Sequence, residues 1–315
     1  MATTARVTAR DRSQLLTRFA WFVLAFMVLV VLEGAVVRAT SSGGGCGNRW
    51  PLCNGDFFPH HPRLATVIEY THRSLTGICT TLVIALTGWT FYATRPGNKA
   101  RRAVFASCIF LVTEALLGAV LVLCGYVENN ISPGRVVMQS IHFTNTLLLL
   151  GALSLTAWFL TQRKSEPATT RADAKWLVWL TVTATILMGA TGSLAALADT
   201  LFPSASIQAG LAEDFAANAP LLVRMRWMHP AATLIGAICV VLLAAKVQTK
   251  LSRAVFWLLM IQIVLGIADV LLLAPIWMQI LHLLGADLYW IVLVGLAATV
   301  VWPTDHRSYV LPEHN

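Results

Sequence analysis

Eight runs of about 20 apolar residues constrain the fold of this chain most strongly, because a run of that length spans a bilayer as an α-helix. The composition agrees, since 57% of the residues are hydrophobic and only 12% are charged, against about 25% charged in a soluble domain. These values argue against a soluble enzyme, a disordered chain and a collagen-like rod. The predicted spans cover residues 19–37, 66–93, 103–124, 135–160, 176–197, 222–245, 254–273 and 276–301.

Basic residues predict the orientation in the membrane. If the N-terminus is cytoplasmic, 16 of the 23 Lys and Arg residues fall on that side, as the positive-inside rule requires. They are Arg6, Arg10, Arg12, Arg18, Arg95, Lys99, Arg101, Arg102, Arg163, Lys164, Arg171, Lys175, Lys246, Lys250, Arg253 and Arg307. An even number of spans then predicts that both termini are cytoplasmic. Seven arginines fall at or near the outer side and need another role: Arg38, Arg49, Arg63, Arg73, Arg135, Arg224 and Arg226.

Short motifs recur between the two halves of the chain. They predict two pseudo-repeated four-helix bundles in the same orientation, which we divide as residues 1–162 and 163–315. The matched pairs are Met138-Gln139-Ser140-Ile141-His142 with Met278-Gln279-Ile280-Leu281-His282, Leu116-Leu117-Gly118 with Val264-Leu265-Gly266, and Glu33-Gly34-Ala35 with Met188-Gly189-Ala190.

One histidine falls in each even-numbered span: His72, His142, His229 and His282. Each lies about seven residues after the predicted start of its helix on the outer side, which places four imidazoles at a common depth of roughly 10 Å. Histidines on facing helices of a bundle can ligate heme iron, and ionisable groups inside a membrane are costly unless they function. The repeat predicts the pairs His72 with His142 and His229 with His282. The alternative is that each is a hydrogen-bonded core histidine.

Glu69 precedes His72 by three residues and should share its helix face, about one turn outward of a bound iron. The second half has Arg226 in the corresponding position before His229. We therefore predict two unlike sites, a reactive one with a carboxylate and an electron-transfer one with only basic groups. The alternative for Glu69 is an ion pair with Arg73 or a contact with lipid headgroups.

The outer arginines and two cysteines complete the candidate site. Guanidinium groups pair with carboxylates in a forked geometry, so the outer arginines near the histidine plane are candidates to bind heme propionates, with lipid phosphates as the alternative. They are Arg38, Arg73 and Arg226, with Arg135 and Arg224 near the same plane. Cys46 and Cys53 lie in the first outer loop, in an oxidising compartment that permits a disulfide. Such a bond could serve as a loop staple or as a redox group.

Taken together, these motifs resemble the heme A synthase family from about residue 19 to 302. The stretches that carry the resemblance are Glu33-Gly34-Ala35-Val36-Val37-Arg38-Ala39-Thr40, Cys46 to Cys53 with Trp50-Pro51-Leu52 between them, Glu69-Tyr70-Thr71-His72-Arg73, Gln139-x-x-His142, His229-Pro230 and Gln279-x-x-His282. The resemblance implies an all-α polytopic membrane protein with eight transmembrane helices in two halves. It departs from some members in having no second cysteine pair at 198–221.

The family's activity implies roles for these residues. His229 and His282 would hold a resident heme b in residues 163–315, and His72 and His142 would hold the substrate heme O in residues 1–162. Glu69 would be the catalytic carboxylate when a ring methyl of heme O is oxidised to a formyl by successive hydroxylations, giving heme A for terminal oxidases. Cys46 and Cys53 would be the family's outer-loop pair.

The resemblance also implies surroundings and partners. Heme O synthase and terminal-oxidase assembly factors are the expected protein partners, the lipid bilayer surrounds the chain, and no nucleic acid is expected. The short segment before the first span favours the plasma membrane of a prokaryote, with the active side facing outward. Two alternatives stay open: a di-heme b-type electron-transfer cytochrome without a substrate heme, and a thiol–disulfide membrane protein in which Cys46 and Cys53 carry the chemistry.

Overall fold

The computed structural model describes residues 9–161 and 174–302, and the regular elements in these ranges are helices. Eight of the helical segments are long and apolar enough to cross a membrane, which confirms the all-α polytopic class. The helices are α1 (Ala9–Ala39), α2 (Leu64–Ala93), α3 (Lys99–Leu123), α4 (Pro133–Leu160), α5 (Lys175–Leu201), α6 (Ile207–Phe215), α7 (Leu221–Arg224), α8 (Met228–Val247), α9 (Lys250–Leu271) and α10 (Ile276–Val301). We call α1–α4 the N-half and α5–α10 the C-half.

The sixth span differs from the prediction because it is broken near its start. It begins with the single turn α7, and α8 begins only at Met228. Pro230 explains the break, since its nitrogen has no hydrogen to donate to the carbonyl of Arg226 and its ring would clash with that carbonyl in a continuous helix. His229 is therefore the second residue of α8, while it lies eight residues after Leu221, where the sixth span begins. Its predicted position, about seven residues into the span, agrees with this.

The segment between α5 and the sixth span also contains structure that the sequence did not suggest. Helix α6 forms within the predicted loop 198–221, and the side chain of Ser206 caps it by accepting a hydrogen bond from the backbone N–H of Ala209. Successive spans run in opposite directions, so the segments after α1, α3, α5 and α9 share one end of the bundle. We call that end the loop face.

Helices α4 and α10 pack against each other between the halves. The indole N–H of Trp290 in α10 donates to the carbonyl of Leu147 in α4 at 2.8 Å, in a buried position. A glycine at position 151 leaves room for this ring, because a Cβ there would lie 3.3 Å from it. Tyr289, also on α10, is buried and bonds to the hydroxyl of Thr185 on α5 at 3.0 Å. Hydrogen bonds from Trp290 and Tyr289 thus hold α10 against α4 and α5.

Parts of the sequence predictions lie outside the described residues. The boundary at residue 162/163 falls there, so the division into 1–162 and 163–315 stays a prediction. The same holds for the cytoplasmic positions given to Arg6, Arg163, Lys164, Arg171 and Arg307.

Candidate functional site

The four span histidines line one cavity of about 860 Å³ near the loop face. This volume lies within the range of small-molecule and cofactor sites. The cavity reaches from the N-half to the C-half, and its wall also contains Arg38, Glu69, Arg73 and Arg226. The structure therefore brings together the predicted site residues apart from Cys46 and Cys53, whose loop contributes Trp50 and Pro51 to the lining instead.

In the C-half, His229 and His282 face each other with ring centroids 6.3 Å apart and ring planes at 82°. If both rings bound one metal ion from opposite sides, two nitrogen–metal bonds of about 2 Å plus the radius of each ring would separate the ring centroids by about 6 Å. His229 Nδ1 donates to the carbonyl of Met188 at 3.1 Å, which leaves the Nε2 lone pair for a metal. The spacing and the donor set fit an iron held between the two rings.

In the N-half, each histidine has a carboxylate beside Nδ1. Glu33 Oε2 lies 2.6 Å from His72 Nδ1, and Glu114 Oε1 lies 3.6 Å from His142 Nδ1. The sequence reasoning gave these two acids no specific role. The repeat matches Glu33 with Met188, and only the structure shows that the backbone carbonyl of Met188 lies beside His229 Nδ1 as Glu33 lies beside His72 Nδ1.

Glycines let the neighbouring helices approach the imidazoles. A Cβ at Gly34 of α1 would lie 2.9 Å from His72 Cε1, and one at Gly192 of α5 would lie 2.9 Å from His229 Cε1, both too close for real contacts. The repeat aligns Gly34 with Gly189, yet the glycine that contacts His229 is Gly192, almost one helical turn further along. In both halves a glycine thus allows a helix backbone to approach an imidazole, but the two glycines are not at matching positions of the repeat.

Glu69 is buried, with 3% of its surface exposed, and lines the N-half side of the cavity. Its Oε2 accepts a hydrogen bond from the backbone N–H of Cys46 at 2.7 Å. Its Oε1 accepts from Arg73 Nε at 3.1 Å and forms a short ion pair with Arg73 Nη2. The ion pair that was the alternative interpretation is therefore present, and the carboxylate is held between α2 and the first outer loop.

That loop is closed by the disulfide between Cys46 and Cys53, as predicted. Arg73 binds the same loop, because its Nη1 donates to the carbonyls of Arg49 at 2.7 Å and Leu52 at 3.0 Å. The hydroxyl of Thr66 donates to the carbonyl of Gly45 at 2.7 Å. Two side chains of α2 thus fasten the disulfide loop beside Glu69.

The prediction that the C-half site has only basic groups is wrong. Arg226 Nε lies 3.0 Å from Asp199 Oδ1, and its Nη1 lies 3.5 Å from Asp214 Oδ1. Asp269 also lines the cavity. Burial raises the pKa of Asp214, while the Arg226 guanidinium opposes the rise. These acids lie far from His229 in sequence, so only the folded arrangement of α5, α6 and α9 brings them to the site.

Arg38 crosses from α1 to the C-half. Its Nη1 donates to the carbonyl of Ala196 and to the hydroxyl of Thr200, both at 2.7 Å, and its Nη2 donates to Gln279 Oε1 at 2.8 Å. Three hydrogen bonds occupy much of the five-donor guanidinium, so Arg38 links α1 to α5 and α10 besides lining the cavity.

Eight spanning helices around a histidine-lined cavity define a polytopic membrane protein with a buried site near one face. The chain belongs to the heme A synthase family: residues 17–65 and 62–294 match the COX15-CtaA family, described as cytochrome oxidase assembly protein.

Individual relatives carry two different names. The chain is 38% identical over 294 residues to a protein of Thermus thermophilus named Protoheme IX farnesyltransferase, covering 91% of this chain and 48% of that protein. It is 40% identical over 104 residues to the Heme A synthase of Exiguobacterium sibiricum, which is 33% of this chain and 35% of that protein. It is 33% identical over 182 residues to the Heme A synthase of Lysinibacillus sphaericus, covering 55% and 56%. The chain thus spans about half or less of the Thermus and Exiguobacterium relatives.

Proposed function

We propose that this chain is a heme A synthase, which oxidises a ring methyl of heme O to a formyl group by successive hydroxylations. The observation that carries the proposal is the pair of unlike histidine sites in one cavity, in which the buried carboxylate of Glu69 lies in the N-half and Arg226 has the corresponding position in the C-half. The names of the Exiguobacterium and Lysinibacillus relatives support it. Resemblance to the Thermus farnesyltransferase supports a link to the preceding prenylation of heme.

His229 and His282 would hold a resident heme b, and His72 and His142 would hold heme O. When bound, the heme irons supply the redox chemistry. The donor set supports this assignment, because in each half at least one histidine has Nδ1 facing an oxygen of a neighbouring helix, which directs Nε2 toward a metal. The glycines at positions 34 and 192 provide the space that the rings need.

Glu69 would handle protons at the reacting methyl. Written with water as the oxygen donor, the conversion of R–CH₃ and H₂O to R–CHO releases four protons and four electrons, so an external electron acceptor is a co-reactant. A carboxylate at the cavity wall can accept such protons in turn and stabilise positive charge that develops at the methyl carbon. Arg73 and the backbone N–H of Cys46 hold it in place.

The arginines would orient the substrate and the resident heme. Arg38, Arg73 and Arg226 all line the cavity near the loop face, where they could pair with propionates. Arg226 already pairs with Asp199 and Asp214, so a propionate at this position would compete with these carboxylates for the guanidinium.

The proposal includes an orientation and partners. The loop face lies on the outer side of a prokaryotic plasma membrane, both termini are cytoplasmic, and the disulfide loop is in an oxidising compartment. A heme O synthase would supply the substrate, and assembly factors of a terminal oxidase would take the product.

Co-expression with a heme O synthase in a host that lacks heme A tests the proposal by extraction and chromatography of the hemes. Heme A should accumulate with the wild-type chain. An extract with only heme B and heme O, from a chain that binds two hemes, would favour the di-heme cytochrome instead. Expression without the synthase is the matched arm, and heme O appearing there would favour prenyl transfer.

Glu69→Gln sharpens the test, because glutamine keeps the shape of the side chain and removes its charge. We expect heme content to stay at the wild-type level and heme A formation to fall by roughly 10²–10⁴-fold, the usual contribution of a general acid or base. Full activity in this variant would remove Glu69 from the mechanism.

A further inference from the structure

The two carboxylates beside the N-half histidines have neutral counterparts in the C-half. In the repeat, Glu33 of α1 corresponds to Met188 of α5. Glu114 of α3 corresponds to Gln262 of α9, since each lies four residues before the glycine that contacts its histidine. At both positions the N-half has an acid where the C-half has a neutral residue. The two histidine pairs therefore differ in the charge beside their rings, in addition to the difference at Glu69.

Glu33 is close enough to act directly on its histidine. Its Oε2 lies 2.6 Å from His72 Nδ1, and neither atom has a hydrogen-bond partner among the residues that the structure describes, so the contact is one of charge and proximity. The glycine that follows, Gly34, lets the ring lie against the α1 backbone, so the acid and the imidazole are held side by side.

Glu114 is held by a network that aims it at the second histidine. Its Oε2 accepts from Asn145 Nδ2 at 2.6 Å, and its Oε1 forms a short hydrogen bond with the hydroxyl of Thr146. Asn145 is itself fixed by the hydroxyl of Thr113 at 2.7 Å. This network places Oε1 of the carboxylate 3.6 Å from His142 Nδ1, which is beyond hydrogen-bond distance but close enough for its charge to act on the ring.

Within residues 9–161 and 174–302, no carboxylate is paired with Nδ1 of either C-half histidine. His229 Nδ1 donates to a backbone carbonyl, and His282 Nδ1 has no hydrogen-bond partner among the described residues. The amide of Gln262 donates to the backbone carbonyl of His282 at 2.7 Å and so does not serve the ring. A neutral carbonyl polarises an imidazole less than an anion does.

We propose that Glu33 and Glu114 are positioning residues whose negative charge beside Nδ1 of His72 and His142 increases electron donation from Nε2. The inference rests on the proposed function for the presence of heme. A carboxylate beside Nδ1 makes the imidazole a more basic ligand, and such an interaction is one of the ways a protein sets a heme potential. Iron in the N-half is thereby stabilised in its oxidised state, and its reduction potential is lowered.

Redox titration of the full chain loaded with heme B, followed by visible absorbance, tests the inference without turnover. Glu33→Gln should raise the midpoint potential of one of two components and leave the other unchanged. Glu114→Gln should raise the same component by a smaller amount, because its oxygen is 1 Å further from Nδ1. His72→Ala should remove that component, which assigns it to the N-half. Asp56→Asn, an exposed acid outside the cavity, is the matched control and should shift neither.

Glu33→Asp separates charge from shape, since it keeps the anion and should stay closer to wild type than Glu33→Gln. Equal upward shifts in both variants would overturn the electronic part of the proposal. An unchanged midpoint in Glu33→Gln with both hemes bound would overturn the whole inference and leave the proposed function standing. If Glu33→Gln loses the N-half heme, the midpoint potential of Glu114→Gln decides the inference, and it should be higher than that of the wild type. A wild-type chain that binds no heme B would overturn the proposed function itself.

Discussion

The close contact between Gly192 and His229 gives a prediction whose size follows from the coordinates. In Gly192→Ala, the new Cβ would lie 2.9 Å from His229 Cε1 and 3.1 Å from Nδ1, where ordinary contacts are at least about half an ångström longer. The imidazole must therefore move by about 0.5 Å, which is the limit of what a ligand site tolerates.

Gly192→Ala should therefore weaken heme binding at the C-half site. Overpacking of this kind costs about 1–3 kcal/mol, which corresponds to a dissociation constant roughly 5–150-fold higher at the C-half site. Alanine in a helix is at the same time up to about 1 kcal/mol more favourable than glycine. Heme affinity should thus fall without a matching loss of stability in the heme-free chain.

Titration of the heme-free chain with heme B in detergent, followed at the Soret band, measures this affinity. A background with His72→Ala and His142→Ala restricts binding to the C-half. Gly88→Ala is the control, because no atom lies within 4 Å of its Cβ position. The reasoning is refuted if Gly192→Ala binds heme as tightly as Gly88→Ala.

Three further predictions concern contacts that support the site. Cys46→Ser should keep heme content but lower heme A formation at least about tenfold, because the loop that holds Glu69 is then less rigid and small misplacements are costly. Unchanged turnover would show that the disulfide is not needed to position Glu69. Trp290→Phe should lower the free energy of unfolding in detergent by about 1 kcal/mol through loss of the bond to Leu147, whereas the exposed Trp257→Phe should not. Arg38→Lys should lower the thermal midpoint of unfolding, because an ammonium group cannot donate to acceptors on both α5 and α10 as the guanidinium does. Arg12→Lys, at an exposed position, is the control. Equal midpoints in the two variants would contradict the linking role of Arg38.

Much of the candidate site could be predicted because its parts are local in sequence. The spacing of Glu69 and His72 on one helix, and the recurrence of Gln-x-x-His in two spans, place side chains by helix geometry alone. The acids that pair with Arg226 could not be predicted, because Asp199 and Asp214 come from two other segments and meet Arg226 only when α5 and α6 pack beside the sixth span. The break before α8 was missed although Pro230 signalled it.

By itself, the sequence determined the class of the protein. Apolar runs of sufficient length must become helices in a bilayer, since no water is present there to satisfy an unpaired backbone. Tertiary structure decided which polar groups meet inside that helical frame. It placed Glu33 and Glu114 beside the N-half histidines and fastened Glu69 to the disulfide loop, because contacts between helices depend on the rotation and depth of each helix, which no local pattern encodes.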